Sequence, residues 1–101
     1  MKAVQVRYKV KPEYAEQNKA NIQAVMQSLK ENPVPGLYYA AYNLEDGQTF
    51  VHVNLAKDEE TLKKINDLAA FLNFRKGLKE SGPIEPPQAT NMEPVAAGWE
   101  L

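Results

Sequence analysis

Two runs rich in aromatic and β-branched residues, Leu37 to Leu44 and Thr49 to Ala56, are joined by Glu45-Asp46-Gly47-Gln48. Asp-Gly between such runs is a strong hairpin signal. The constraint lies in what the two strands carry. Leu37, Tyr39 and Ala41 point one way, and Tyr38, Ala40 and Tyr42 point the other. On the second strand Phe50 opposes Val51, Val53 and Leu55. A sheet with one face in water alternates apolar with polar, so a hairpin that is oily on both sides needs cover on both sides.

The rest of the chain supplies cover for one of them. Residues 3–10 read as a strand, with Val4, Val6, Tyr8 and Val10 on one face and Gln5, Arg7 and Lys9 on the other. Pro12 suits the first turn of a helix. That helix is expected to run to about Lys30, with Tyr14, Asn18, Ile22, Val25, Met26 and Leu29 on one stripe, and Asn32-Pro33-Val34-Pro35-Gly36 stops it. After the hairpin, Asp58 is placed to cap a short helix. A longer helix follows from about Asp67 to Glu80, and Ser81-Gly82-Pro83 ends it. The proline-rich stretch Pro83 to Gln88 reads as an extended connector and residues 89–100 as a last strand, in which Pro94 requires an edge position.

The order is β-α-β-β-α-β. The expected fold class is therefore α+β: a ferredoxin-like, four-stranded antiparallel sheet with the first and third strands central and helices on one face. A second copy packing sheet to sheet would cover the other face, so a homodimer is expected. With the Val4–Val10 row under the helices, Gln5, Arg7 and Lys9 would face that dimer interior. The alternative is a monomer whose aromatics are half covered.

With 101 residues, the chain is expected to form one domain, residues 1–101. Twelve basic against thirteen acidic residues, scattered along the chain, give no cationic surface for phosphates, so no nucleic-acid partner is expected. No apolar run reaches the roughly 20 residues that span a bilayer. The alternating N-terminus is unlike a signal peptide. No membrane association and a cytoplasmic location are the expectations. The absence of cysteine removes disulfides and thiolate chemistry. One histidine, His52, and no metal-ligand spacing exclude a multi-histidine metal centre, so no metal is expected. Ser28 and Ser81 lie outside any G-x-S-x-G, and the five glycines form no phosphate loop.

The βαββαβ order resembles the dimeric α/β-barrel superfamily. So does the run Gly36-Leu37-Tyr38-Tyr39 … Asp46-Gly47-Gln48-Thr49-Phe50-Val51-His52-Val53, followed by Leu68-Ala69-Ala70-Phe71-Leu72-Asn73-Phe74-Arg75-Lys76-Gly77-Leu78. Within that superfamily the chain is similar, over nearly its whole length, to the antibiotic-biosynthesis-monooxygenase-like domains. The resemblance implies a homodimeric barrel with a ligand pocket between sheet and helices in each subunit. It also implies oxidation of aromatic polyketides or quinols with O₂ and no cofactor, or haem degradation by an Asn, a Trp and a His. The haem-degrading set does not map here. Its Asn falls near Val6, its His at Phe74 or Arg75, and the one tryptophan, Trp99, lies in the expected last strand. No cofactor is expected.

His52 has a general base's chemistry and shares a strand face with Phe50 and Asn54. If the central strands pair accordingly, Gln5 and Arg7 join that face, and Arg7, His52 and Asn54 could polarise a carbonyl or phenolate. The plainer role for His52 is a hydrogen-bonded residue in a polar dimer seam. Tyr8, Tyr38, Tyr39, Tyr42, Phe71, Phe74 and Trp99 could line a flat pocket for a small aromatic ligand, although Phe71 and Phe74 at helical spacing also fit plain core. Arg75, on the apolar stripe of the second long helix, would close on an anionic substrate, or else snorkel to solvent or pair with an acid such as Glu80. The candidate catalytic residues are thus His52 and Arg75, and the candidate substrate-binding residues Arg7, Tyr39, Asn54, Phe71, Phe74 and Trp99. Two functions compete: a cofactor-independent monooxygenase acting on a small aromatic or quinone-like compound, and a non-catalytic homodimeric module that binds a small molecule.

Overall fold

The Asp-Gly turn closes as its chemistry requires. Gly47 takes φ +73°, and Asp46 accepts the backbone N–H groups of Gln48 and Thr49 at 2.9 and 2.8 Å and the Thr49 hydroxyl at 2.6 Å. The turn joins β2 (Leu37–Asn43) to β3 (Thr49–Ala56). This computed structural model describes residues 1–100; Leu101, the end of the expected domain, lies outside the described residues. The remaining elements are β1 (Lys2–Lys9), α1 (Ala15–Glu31), α2 (Glu59–Lys63), α3 (Ala69–Ser81) and β4 (Glu85–Met92).

Local chemistry sets the helix ends. Pro12 opens a 3-10 turn that runs into α1. Asp58 caps α2 by accepting the Thr61 N–H at 2.7 Å. Gly82 ends α3 in the left-handed conformation at φ +66°.

All strand pairs are antiparallel, in the order β2-β3-β1-β4, so the sheet has the expected central pair. Register decides which side chains meet. Val4, Val6 and Tyr8 stand opposite Asn54, His52 and Phe50. Tyr39 and Ala41 stand opposite Asn54 and His52 from the other side. Partners across a ladder share a face, so these residues form the inner face. α1 and α3 cover it, and the core of Tyr8, Val10, Val25, Phe50, Phe74 and Leu78 lies between. Tyr38, Ala40, Tyr42, Val51, Val53 and Leu55 point out of the opposite face, where Tyr38 and Tyr42 are 48% and 58% exposed.

The C-terminal region differs from expectation. The last strand is Glu85–Met92 rather than 89–100, so it includes much of the expected connector, and Pro94 lies after it. The prolines are tolerated because β4 is an edge and its ladder slips at that point. Lys9 pairs with Glu85 but Arg7 with Gln88, so one extra residue on β4 forms a bulge around Pro86-Pro87.

Candidate functional site

His52 is placed by β3 on the inner face, 3% exposed, with the aromatic rings of Tyr8, Tyr39 and Phe74 around it at centroid distances of 5.3, 5.7 and 5.2 Å. Both ring nitrogens are engaged. Nε2 lies 2.7 Å from the Tyr8 hydroxyl and Nδ1 lies 2.6 Å from the Tyr39 hydroxyl. Tyr8 is 2% exposed, and its hydroxyl also accepts a hydrogen bond from Asn18 Nδ2 at 2.8 Å. A buried polar chain therefore runs Asn18–Tyr8–His52–Tyr39, from α1 across three strands of the sheet.

Burial governs its electrostatics. Desolvation disfavours charge on each member. It holds the His52 imidazole down at about 4, so the ring is neutral near pH 7. It pushes the phenols of Tyr8 and Tyr39 well above their ordinary range, with the Asn18 hydrogen bond partly opposing the rise at Tyr8. All three are uncharged at neutral pH.

This chain forms the floor of a cavity of about 490 Å³ between the inner sheet face and α3. Phe71, Phe74 and Leu78 of α3 make its apolar wall, while Pro83, Pro86 and Pro87 border the β4 side. Asn54, beside Tyr39 in the ladder, lines it too, and its Oδ1 is buried without a hydrogen-bond partner. The exposed residues Arg75 and Lys79, one helical turn apart, place two cations on the lining, and among the described residues no carboxylate lines it. The Arg75 guanidinium lies over the Phe71 ring, 5.9 Å from its centroid. Apolar walls with a few convergent polar groups are the usual form of a small-molecule site. A larger open groove of about 1070 Å³ runs over the β2 edge beside Met26, Tyr38, Tyr42 and Trp99; of the buried chain only Tyr39 reaches it.

Of the residues expected at the site, the cavity brings together His52, Arg75, Tyr39, Asn54, Phe71 and Phe74. Arg7 and Trp99 are not among them. Arg7 is exposed on the opposite sheet face, because Val6, and not Arg7, stands across from His52. Trp99 lies beyond β4, 57% exposed, against the outer face beside Leu55. Two features of the buried chain are not evident from the sequence pattern, the Tyr8–His52 bond and Asn18. Asn18 is the only non-aromatic polar residue on the apolar stripe of α1, and that misfit was the available signal. Among the described residues no group of three or more His, Asp or Glu side chains could hold a metal ion.

No family model matches the sequence, and no curated protein matches it either. Solved structures do match. A Bacteroides thetaiotaomicron protein assigned to the antibiotic biosynthesis monooxygenases superposes with TM-score 0.82 at 15% identity, over 99% of this chain and 94% of that one. One from Nitrosomonas europaea, assigned likewise, gives 0.81 at 19% identity over 95% and 100%. The Rv0793 protein of Mycobacterium tuberculosis gives 0.80 at 20% over 97% and 98%. The chain has an antibiotic-biosynthesis-monooxygenase-like fold. Identities at this level establish the monooxygenase-like fold and leave the activity to the site, and a further match from Nitrosomonas europaea is a protein of unknown function.

Proposed function

We propose that this chain is a cofactor-independent monooxygenase acting on a small aromatic or quinone-like compound. The observation that carries the reading is the neutral Tyr8–His52–Tyr39 chain at the floor of an otherwise apolar cavity. A planar phenol or enol lying against Phe71 and Phe74 brings an oxygen to the Tyr39 hydroxyl. Hydrogen bonding there, within an environment stripped of water, favours the substrate's oxyanion. The substrate's proton passes to solvent, the electron-rich anion gives an electron to O₂, and the two radicals join in a C–O bond. The resulting hydroperoxide breaks its O–O bond and loses water to leave a carbonyl, so the substrate supplies all the electrons and the second oxygen leaves as water. The protein orients the ring and holds the charge. Arg75 and Lys79 add a favourable potential for an anion at the lining.

Oxygen uptake with a panel of hydroquinones and polycyclic phenols tests the proposal. Uptake above the uncatalysed rate that falls on replacing Tyr39 by Phe or His52 by Ala is the expected result. No enzyme-dependent uptake across the panel, or uptake indifferent to both replacements, sinks it.

One observation favours a binding module instead. Both nitrogens of His52 are already hydrogen-bonded to tyrosines, so neither is free to take a proton from a ligand. Ligand binding without oxygen uptake would establish that second reading. For either function we propose a homodimer, with a second copy covering the outer face of Tyr38, Tyr42, Val53 and Leu55.

A further inference from the structure

Asn18 is fully buried, at 0% exposure, in a helix that otherwise presents apolar groups to the sheet. Its one side-chain hydrogen bond runs from Nδ2 to the Tyr8 hydroxyl, and its Oδ1 has no partner. Turning the amide over would leave an NH₂ group, with its two donors, unpaired in the same place. A buried orphan donor costs more than an under-used carbonyl, so the present orientation is the cheaper one.

The direction of the whole chain follows. With its oxygen accepting from Asn18, Tyr8 still has a proton to place, and in this buried position its remaining partner is His52 Nε2. Nε2 must then be the unprotonated nitrogen, and the neutral ring carries its proton on Nδ1. Nδ1–H donates to the Tyr39 oxygen, so the Tyr39 proton is left over. Tyr39 lines the cavity and has no second side-chain partner among the described residues. In the opposite polarity Tyr39 would spend its proton on Nδ1 and offer the cavity no donor, while Tyr8, 2% exposed, would be left with an unpaired buried O–H.

We infer that Asn18 is a positioning residue that fixes His52 as the Nδ1–H tautomer, so that the Tyr39 hydroxyl donates into the cavity and selects ligands presenting an acceptor oxygen, a quinone or ketone carbonyl or a phenolate. The inference deepens the proposed function by naming what the floor recognises, and it rests on that reading for the ligand but not for the tautomer.

Because His52 is the only histidine, long-range proton–nitrogen correlation NMR of the uniformly labelled protein reads its tautomer without ambiguity. At neutral pH the expected spectrum has Nδ1 at the protonated position and Nε2 at the unprotonated one. Asn18→Leu, which removes the donor while keeping the side-chain volume, is expected to shift Nε2 toward the protonated position as the two tautomers mix. It should also lower the affinity for 1,4-naphthoquinone by about tenfold, the scale of one lost neutral hydrogen bond. A wild-type ring protonated on Nε2 overturns the inference whether or not the variant folds. So does an unchanged His52 spectrum in a folded Asn18→Leu protein. Finding the Nδ1–H form with no oxygen uptake removes the monooxygenase and leaves this inference standing; oxygen uptake with the Nε2–H form does the reverse.

Discussion

The Tyr39 hydroxyl stands 2.6 Å from Nδ1 of His52, at the point where the buried chain reaches the cavity. Tyr39→Phe removes the hydroxyl and leaves a buried ring nitrogen unpaired, a change worth about 1–3 kcal/mol. Thermal unfolding should register that loss. If the proposed chemistry holds, oxygen uptake should fall about a hundredfold, the usual scale for losing one positioned donor to a developing anion.

Acid should weaken this fold through one group in particular. His52 ionises at about 4 when folded, against 6.5 for an imidazole free in water. The unfolded chain therefore binds the proton first as pH falls, and the gain in protonation favours unfolding. Stability should be level above about pH 6.5, then decline until about pH 4, by about 3 kcal/mol from this group. Urea titrations across that range should show the slope, and His52→Gln should flatten it. Asp46, held at about 2 first by the Thr49 hydroxyl and then by backbone N–H groups, acts in a lower window, its contribution fading below the ordinary carboxylate value.

Where α1 and α3 meet, a methyl group at Gly77 would come 2.6 Å from the Tyr14 hydroxyl and 3.2 Å from Asn21 Nδ2. Gly77→Ala should destabilise by about 1–2 kcal/mol, because overpacking exceeds the gain in helix propensity. Adding Tyr14→Phe removes the nearest clash and should recover most of the loss, a coupling that a double-mutant cycle by chemical denaturation will measure.

Arg75 lines the cavity with its guanidinium over Phe71. Arg75→Gln should weaken binding of an aromatic anion by about three- to tenfold, the scale of one partly screened charge. It should leave a neutral ligand of the same shape unaffected. Calorimetry at low and high salt separates the two, since only the anion's affinity should respond to salt.

The outer face makes its own prediction. Tyr38 and Tyr42 leave about half of their surface open to water, and the proposed second copy would close over them. Sedimentation should give a dimer for the natural chain and a monomer for Tyr38→Glu/Tyr42→Glu.

Much of this architecture was legible in the sequence because it rests on local chemistry. Asp46-Gly47, Asp58 and Gly82 each mark a turn or helix end by what their own side chain or backbone can do. The candidate site was legible only as an inventory of side chains, most of which meet at one cavity. What local pattern could not supply was register. The Val4–Tyr8 row and the Phe50–Asn54 row were each readable as faces, yet only pairing determines whether Val6 or Arg7 stands against His52, and a slip of one residue exchanges the faces. Trp99 was misplaced for another reason: the last strand ends at Met92, so no ladder carries that side chain toward the inner face. Prolines at 86 and 87 suggested a connector, and nothing local announced a bulge that lets an edge strand accommodate them. Asn18 was visible on its stripe, but its role depends on Tyr8, ten residues away in another element.

The bulge around Pro86-Pro87 has a meaning beyond accommodation. Two adjacent positions on that margin have no N–H to offer, and the ladder is out of step on either side of them. A foreign strand sliding alongside β4 would find its hydrogen-bonding partners interrupted near the start of that strand. Growth of the sheet by strand addition along this rim is thereby discouraged, so a second copy of the proposed dimer would have to meet this chain elsewhere than along β4.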